Sequence, residues 1–199
     1  MFYGQFNTDK FIAQYFDNKF KGVAIDVGAA RPIDNNNTYY FEQKGWKVYC
    51  VEANPGYIKK LQSKRKDVFQ FAVGKENKEK ANFTICTLKG GHQDAISSVE
   101  IDKRLLEEHK KYDPVLTTIR VPMKTLNTFI KEQNIKHIDF ISIDTEGTEL
   151  DVLKGLDLSK NKPTLLVIEN NFNTHEIKNY LKRYNYLLSK RVGVNDFYL

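Results

Sequence analysis

The sequence predicts an α/β domain with a mostly parallel sheet covered by helices on both faces. Two observations carry this. Short, β-branched apolar runs that close on glycine or turn residues alternate with longer amphipathic stretches along all 199 residues. Such alternation feeds parallel strands through crossover helices. No repeat, low-complexity tract or linker divides the chain, so residues 1–199 form one domain.

The elements follow in order. Residues 1–21 form an N-terminal helical segment. Residues 22–27 (GVAIDV) are the first strand, stopped by Gly28, and 37–44 a helix closed by Gly45. Residues 46–52 are a strand, 57–65 a helix entered through Pro55 and Gly56, and 68–73 a strand. The segment 80–122 departs from the alternation: strands at 80–86 and 116–122 pair as an antiparallel addition to the sheet, separated by the loop 87–98 and a helix at 102–111. Regular order resumes with helix 126–133, strand 138–144, helix 148–156, strand 164–169 and helix 175–184. A hairpin around Gly193, 186–190 and 194–199, ends the chain.

Composition narrows the classes. With 41% hydrophobic and 28% charged residues the chain reads as a globular protein. No run is long enough to span a bilayer, and the N-terminal residues are too polar for a signal peptide. Two cysteines make no disulfide framework, so a cytoplasmic location is expected. The net charge of +6 comes mostly from dispersed lysines. It reads as a solvated basic surface, and nucleic acid is not the expected partner.

In such sheets ligands bind beyond the carboxyl ends of the strands. The first strand ends Asp26-Val27-Gly28-Ala29, the second Val51-Glu52-Ala53. A glycine loop with an acid at the second strand's end suits an adenosine-containing cofactor, the acid accepting from the ribose hydroxyls. A dinucleotide needs G-x-G-x-x-G, and here Gly28 is followed by Ala30, Arg31 and Pro32. S-adenosylmethionine has no pyrophosphate to cradle and fits better. The later strands end Asp144-Thr145-Glu146 and Glu169-Asn170, a polar pocket of crowded carboxylates. Thr148 with Asp151 resembles a capping box, and Glu149 suits the helix dipole.

The series GVAIDVGA (22–29), GWKVYCVEANP (45–55), FAVG (71–74), VPMKTLNTF (121–129), IDFISIDTEGTELDVLKG (138–155) and LLVIEN (165–170) resembles the FkbM-type methyltransferases over almost the whole chain. Gln5, Asp9, Asn37 and Thr38 resemble its flanking positions. The resemblance implies a Rossmann-like class I methyltransferase fold, with seven core strands and the last antiparallel. It also implies S-adenosylmethionine as donor and O-methylation of a sugar or similar hydroxylated molecule. By position, residues 26–29 (Asp26, Gly28 and Ala29 among them) would contact the methionine part, Glu52 with Ala53 the ribose, and Ala72 the adenine. Asp144 would lie by the methionine amino group or the reacting centre.

An alcohol is not ionised at neutral pH, so a base or a metal must assist. Asp144 or Glu146 is the expected base, with Glu169 and His92 in reserve. His92, in the loop 87–98, and Asn170 are the expected substrate contacts. Asp144, Glu169 and Asn170 are the alternative ligands of a divalent cation. His109 reads as part of a helix face, and Tyr39, Tyr40, Phe41 and Trp46 as core. The rival readings are an RNA or cap methyltransferase and a non-catalytic module that binds the cofactor.

Overall fold

The computed structural model of the chain describes residues 1–17, 21–89 and 96–199. Among these, strands β1 (Val23–Val27), β2 (Lys47–Glu52), β3 (Asp67–Gln70), β7 (Phe140–Ile143), β8 (Leu165–Glu169), β9 (Leu188–Val192) and β10 (Asn195–Tyr198) form a seven-stranded sheet in the order β3-β2-β1-β7-β8-β10-β9. The first five are parallel, and β10 runs antiparallel to β8 and β9.

Each central strand splits its side chains between two cores. Ile25, Val27, Ile141, Ile143, Leu166 and Ile168 enter one cluster, whereas Ala24, Phe140, Leu165 and Val167 enter the other. This two-faced burial explains why the strands read as unbroken apolar runs. Phe41 packs edge-on against both Trp46 and Phe140 in the second core, while Tyr39 and Tyr40 are only half-buried.

Helices α1 (Thr8–Tyr15), α2 (Tyr39–Gln43), α3 (Pro55–Gln62), α4 (Lys103–His109), α5 (Leu126–Glu132), α6 (Glu149–Lys154) and α7 (Glu176–Lys182) are shorter than periodicity implied, by two to four residues in most cases. Capping sets several starts. Asn54 accepts from the Gly56 amide at 2.9 Å with Pro55 in the first turn, Asp102 from Arg104 at 2.7 Å, and Thr125 from Thr128 at 3.1 Å. The expected Thr148–Asp151 box does not form. Thr148 makes no side-chain cap, and Asp151 faces Lys75 and Lys154 instead.

Two sheet expectations are corrected. The strand expected at 68–73 is two strands: Gln70 still pairs with Glu52, but β4 (Ala72–Val73) pairs with Met123 and Lys124. The chain thereby leaves the sheet edge for a second partner. The long strands β5 (Lys78–Thr87) and β6 (Val115–Lys124) pair with each other and, through β6, with β4, making a separate three-stranded sheet rather than an addition to the first. No described helix is long and apolar enough to cross a membrane.

Candidate functional site

Two adjoining cavities open beyond the carboxyl ends of β1, β2, β7 and β8. The first is walled by Glu52, Ala53, Asn54, Phe71 and Ala72, and roofed by Phe83 with residues 97–99. The second is walled by Gln5, Asp26, Ala29, Asn37, Ser142 and Glu169, and capped by Ile96, Leu105, Glu108 and His109. Gly28, Ala30, Tyr57, Asp144 and Glu146 line both, so one crevice runs from Glu52 past Asp144.

Gly28 is where the two strand ends meet. Its φ is +80°, and a Cβ placed there would lie 1.7 Å from the carbonyl oxygen of Asp144. Only glycine permits that approach. The Gly28 and Ala29 amides both donate to Val51 O, at 2.9 and 3.1 Å, folding the loop across the end of β2.

Glu52 is 6% exposed. Its Oε1 accepts from the Asn54 amide at 2.7 Å and its Oε2 from the Ala30 amide at 2.8 Å. Burial outweighs these bonds and pushes its carboxyl up to about 7. The remaining lone pairs are available to hydroxyl donors in the cavity.

At the other strand ends, one carboxylate oxygen each from Asp144, Glu146 and Glu169 lies within 4.8 Å of the others. Burial, reinforced by the neighbouring acids, pushes Asp144 up to about 7 and holds Glu146 and Glu169 well above the usual range. A hydrogen bond between Asp144 and Glu169 favours the ionised form of Asp144 and the protonated form of Glu169. Glu146 sits at φ +58°, a left-handed conformation that costs a side-chain-bearing residue energy and occurs preferentially at functional sites. Glu149 belongs to the scaffold. Its Oε1 accepts from the Thr145 and Gly147 amides at 2.9 and 3.0 Å, clamping the turn that presents Glu146.

Other expected residues are tied into the protein's own hydrogen bonds, Asp26 from the wall of the second cavity and Thr38 and Asp9 from behind it. Asp26 accepts from Asn36 Nδ2 at 2.9 Å and from Thr38 Oγ1 at 2.7 Å. Thr38 lines neither cavity, because its hydroxyl is spent on that bond and on accepting from Arg65 at 2.7 Å. Asp9 is fully buried and accepts from the Tyr3 amide at 2.6 Å, fixing the segment that carries Gln5 into the second cavity. Asn170 is not part of the carboxylate group. Its Nδ2 donates to Asp196 at 2.8 Å and its Oδ1 accepts from the Thr174 amide at 2.9 Å, while Glu146 joins Asp144 and Glu169 in the cluster. His92 lies outside the described residues.

Sequence reasoning missed Asn54, Tyr57, Ser97, Ser98 and His109 as cavity residues. Asn54 had a signal as the residue before Pro55 at a helix start. The serines had none, since their place depends on a bridge between Ser98 and Thr84 and on a 2.8 Å bond from Ser98 Oγ to Thr145 O. His109, read as helix face, is on a helix, but one that caps the second cavity.

The donor set fits the S-adenosylmethionine expected from the sequence. Among the described residues, three buried side-chain atoms of cavity-lining residues have no hydrogen-bond partner: Asn54 Nδ2 of the first cavity's lining, Asn37 Oδ1 of the second's, and Glu169 Oε2, also of the second's. The first is a donor suited to ribose or adenine acceptors, the second an acceptor suited to an ammonium. Such orphans cost free energy until a ligand completes them.

Residues 26–188 match the methyltransferase FkbM domain family. Comparison with curated proteins gave no match. Among solved structures, a precorrin-6y C5,15-methyltransferase from Geobacter metallireducens is 11% identical, covering 91% of this chain and 71% of that one with a TM-score of 0.45. A precorrin 8w decarboxylase from Methanobacterium thermoautotrophicum is 14% identical, covering 91% and 72% with a TM-score of 0.44. Likeness at that level carries no argument about activity. The family match spans both strand-end acids and every strand of the parallel core except the first residues of β1: the chain belongs to the FkbM methyltransferase domain family.

Proposed function

We propose that this methyltransferase transfers the methyl group of S-adenosylmethionine to a hydroxyl oxygen of a sugar, a glycan or a similar small molecule. Membership of the family implies S-adenosylmethionine as the donor. The observation that carries the rest is the pair of adjoining cavities that share Asp144 and Glu146. In this reading the Glu52 cavity holds the nucleoside, with Ala53 and Ala72 against it. The second holds the methionine part beside Asp26, Ala29, Gln5 and Asn37, together with the acceptor.

Bound there, the cofactor supplies a methyl on a sulfonium, a strong electrophile. The chain's own work is to orient the acceptor, keep water out and take a proton. Asp144 is the base: it lines both cavities, and its hydrogen bond with Glu169 favours the ionised form of Asp144 and the protonated form of Glu169. Glu146 completes the wall against which an acceptor oxygen would be held about 3–3.5 Å from the methyl carbon. Among the described residues, Arg31 and His109 are the basic groups lining this cavity, too few to hold a phosphate-bearing chain, which favours a neutral acceptor over RNA.

A second reading has its own observation. The clustered oxygens of Asp144, Glu146 and Glu169, with Glu169 Oε2 lacking any partner, make a donor set suited to Mg²⁺. These three residues would hold the ion, and it would acidify the acceptor hydroxyl.

The test is calorimetry with S-adenosylmethionine followed by mass spectrometry of a glycan and RNA panel, with and without chelator. Methylated glycan hydroxyls support the proposal. Absence of cofactor binding, or methylation of RNA alone, overturns it. Activity lost in chelator and restored by Mg²⁺ selects the second reading.

A further inference from the structure

We infer that Arg65 is a positioning residue for the amino-acid end of the methyl donor, acting from behind the second cavity through Thr38, Asn36 and Asp26. The inference rests on the assignment of the two cavities given above.

Arg65 follows α3, and its guanidinium is fully buried. A buried cation is tolerated only when paired and hydrogen-bonded. Glu42, from α2, supplies the charge partner, bonded through Nε. The other arms of the fork go elsewhere. One donates to Asn36 Oδ1 at 3.0 Å and to Pro32 O at 3.3 Å, the other to Thr38 Oγ1 at 2.7 Å. The plane also lies over the Tyr39 ring, 5.6 Å from its centroid.

All three of those acceptors belong to the loop between β1 and α2. This loop holds two side-chain-bearing residues at left-handed φ, Ala30 at +39° and Asn35 at +55°, so it does not sit in a backbone minimum of its own. Side chains tie it instead. Asn36 Nδ2 donates to Ala29 O and Arg31 O, both at 3.1 Å, and to Asp26 Oδ2. Asn36 and Thr38 are thus held by Arg65 on one side and hold Asp26 on the other. The same loop supplies Ala29, Arg31, Asn36 and Asn37 to the wall of the second cavity. The buried cation also opposes the effect of burial on the Asp26 carboxyl, favouring its charge. Burial raises the Asp26 carboxyl on balance, and its oxygens with Asn37 Oδ1 are the acceptors an ammonium group would meet.

S-adenosylhomocysteine and 5′-methylthioadenosine separate this role from general damage. They share the nucleoside, but only the first carries the amino-acid end. Calorimetry would compare Arg65→Lys, which keeps the charge and loses the fork, with Thr38→Val, which leaves Arg65 and Glu42 in place. Both should weaken S-adenosylhomocysteine binding about tenfold or more while 5′-methylthioadenosine stays within about twofold of wild type. Equal losses of both ligands, or no loss of either, in folded Thr38→Val protein would overturn the role of Arg65. Wild-type protein that binds neither ligand would instead overturn the cavity assignment, and the role of Arg65 with it.

Discussion

Glu52 at the end of β2 and the Asp144–Glu146–Glu169 group at the ends of β7 and β8 are buried acids along one crevice, yet their surroundings differ in kind. Glu52 is held by two backbone amides, of Asn54 beside it and of Ala30 in the neighbouring loop, with Asp26 a lesser electrostatic neighbour. Its geometry is fixed before any ligand arrives. The three later acids face one another, one at a left-handed φ, another with an oxygen that bonds to nothing. That group is settled only by a proton, a cation or a substrate. A carboxylate held by amides recognises; carboxylates held by each other are poised to move a proton.

The sharpest break of this comparison is at Gly28, which serves both regions. Gly28→Ala should destabilise the fold by more than about 2 kcal/mol, since left-handed φ alone costs roughly 1–2 kcal/mol and the added methyl meets the Asp144 carbonyl. Thermal unfolding would show it, and cofactor binding should be lost with it. Next in size, Asp144→Asn should lower turnover about 10²–10⁴-fold while S-adenosylhomocysteine binding stays within severalfold. Glu52→Gln should do the reverse, weakening that ligand roughly ten- to a hundredfold with turnover at saturating cofactor largely kept. If the two variants exchanged these behaviours, the division between recognition and chemistry would be wrong.

The parallel core was legible because its signals are local. Residues such as Ile141, Ile143, Leu166 and Val167 are apolar on both faces, and Gly28, Gly45 and Gly193 mark turns with φ of +80°, +85° and +59°. The strand-end acids were legible for the same reason, since a strand's end fixes where its last side chain goes. What escaped reading depends on distant partners. Phe71 separates two strands because β6, some fifty residues on, captures Ala72 and Val73. Asn170 looked like a free polar group beside Glu169, but Asp196 of β10 claims its amide. Arg65 ends the helix expected at 57–65 with nothing local to single it out, and only the fold shows that Glu42 and the loop before α2 close around it. Thr148 looked like a cap because spacing says nothing of Glu149 reaching back into the turn ahead of it.

The smallest effect concerns protons on Glu52. Its carboxyl titrates near 7 in the folded chain against 4.5 without burial, so between those values the folded state binds more protons than the unfolded. Stability from this residue therefore falls as pH rises through that window and levels off above 7. Ligand binding runs the other way. Ribose hydroxyls donate to the ionised carboxylate, so below 7 a proton must leave before the nucleoside is held. The affinity for 5′-methylthioadenosine, which reaches only the first cavity in the assignment above, should drop severalfold, and less than about tenfold, from pH 7.5 to 6. Calorimetry across that range should show the slope in wild type and a flat line in Glu52→Gln. A slope that survives the substitution would assign the proton to another group, and Glu52 would then be ionised before the ligand arrives.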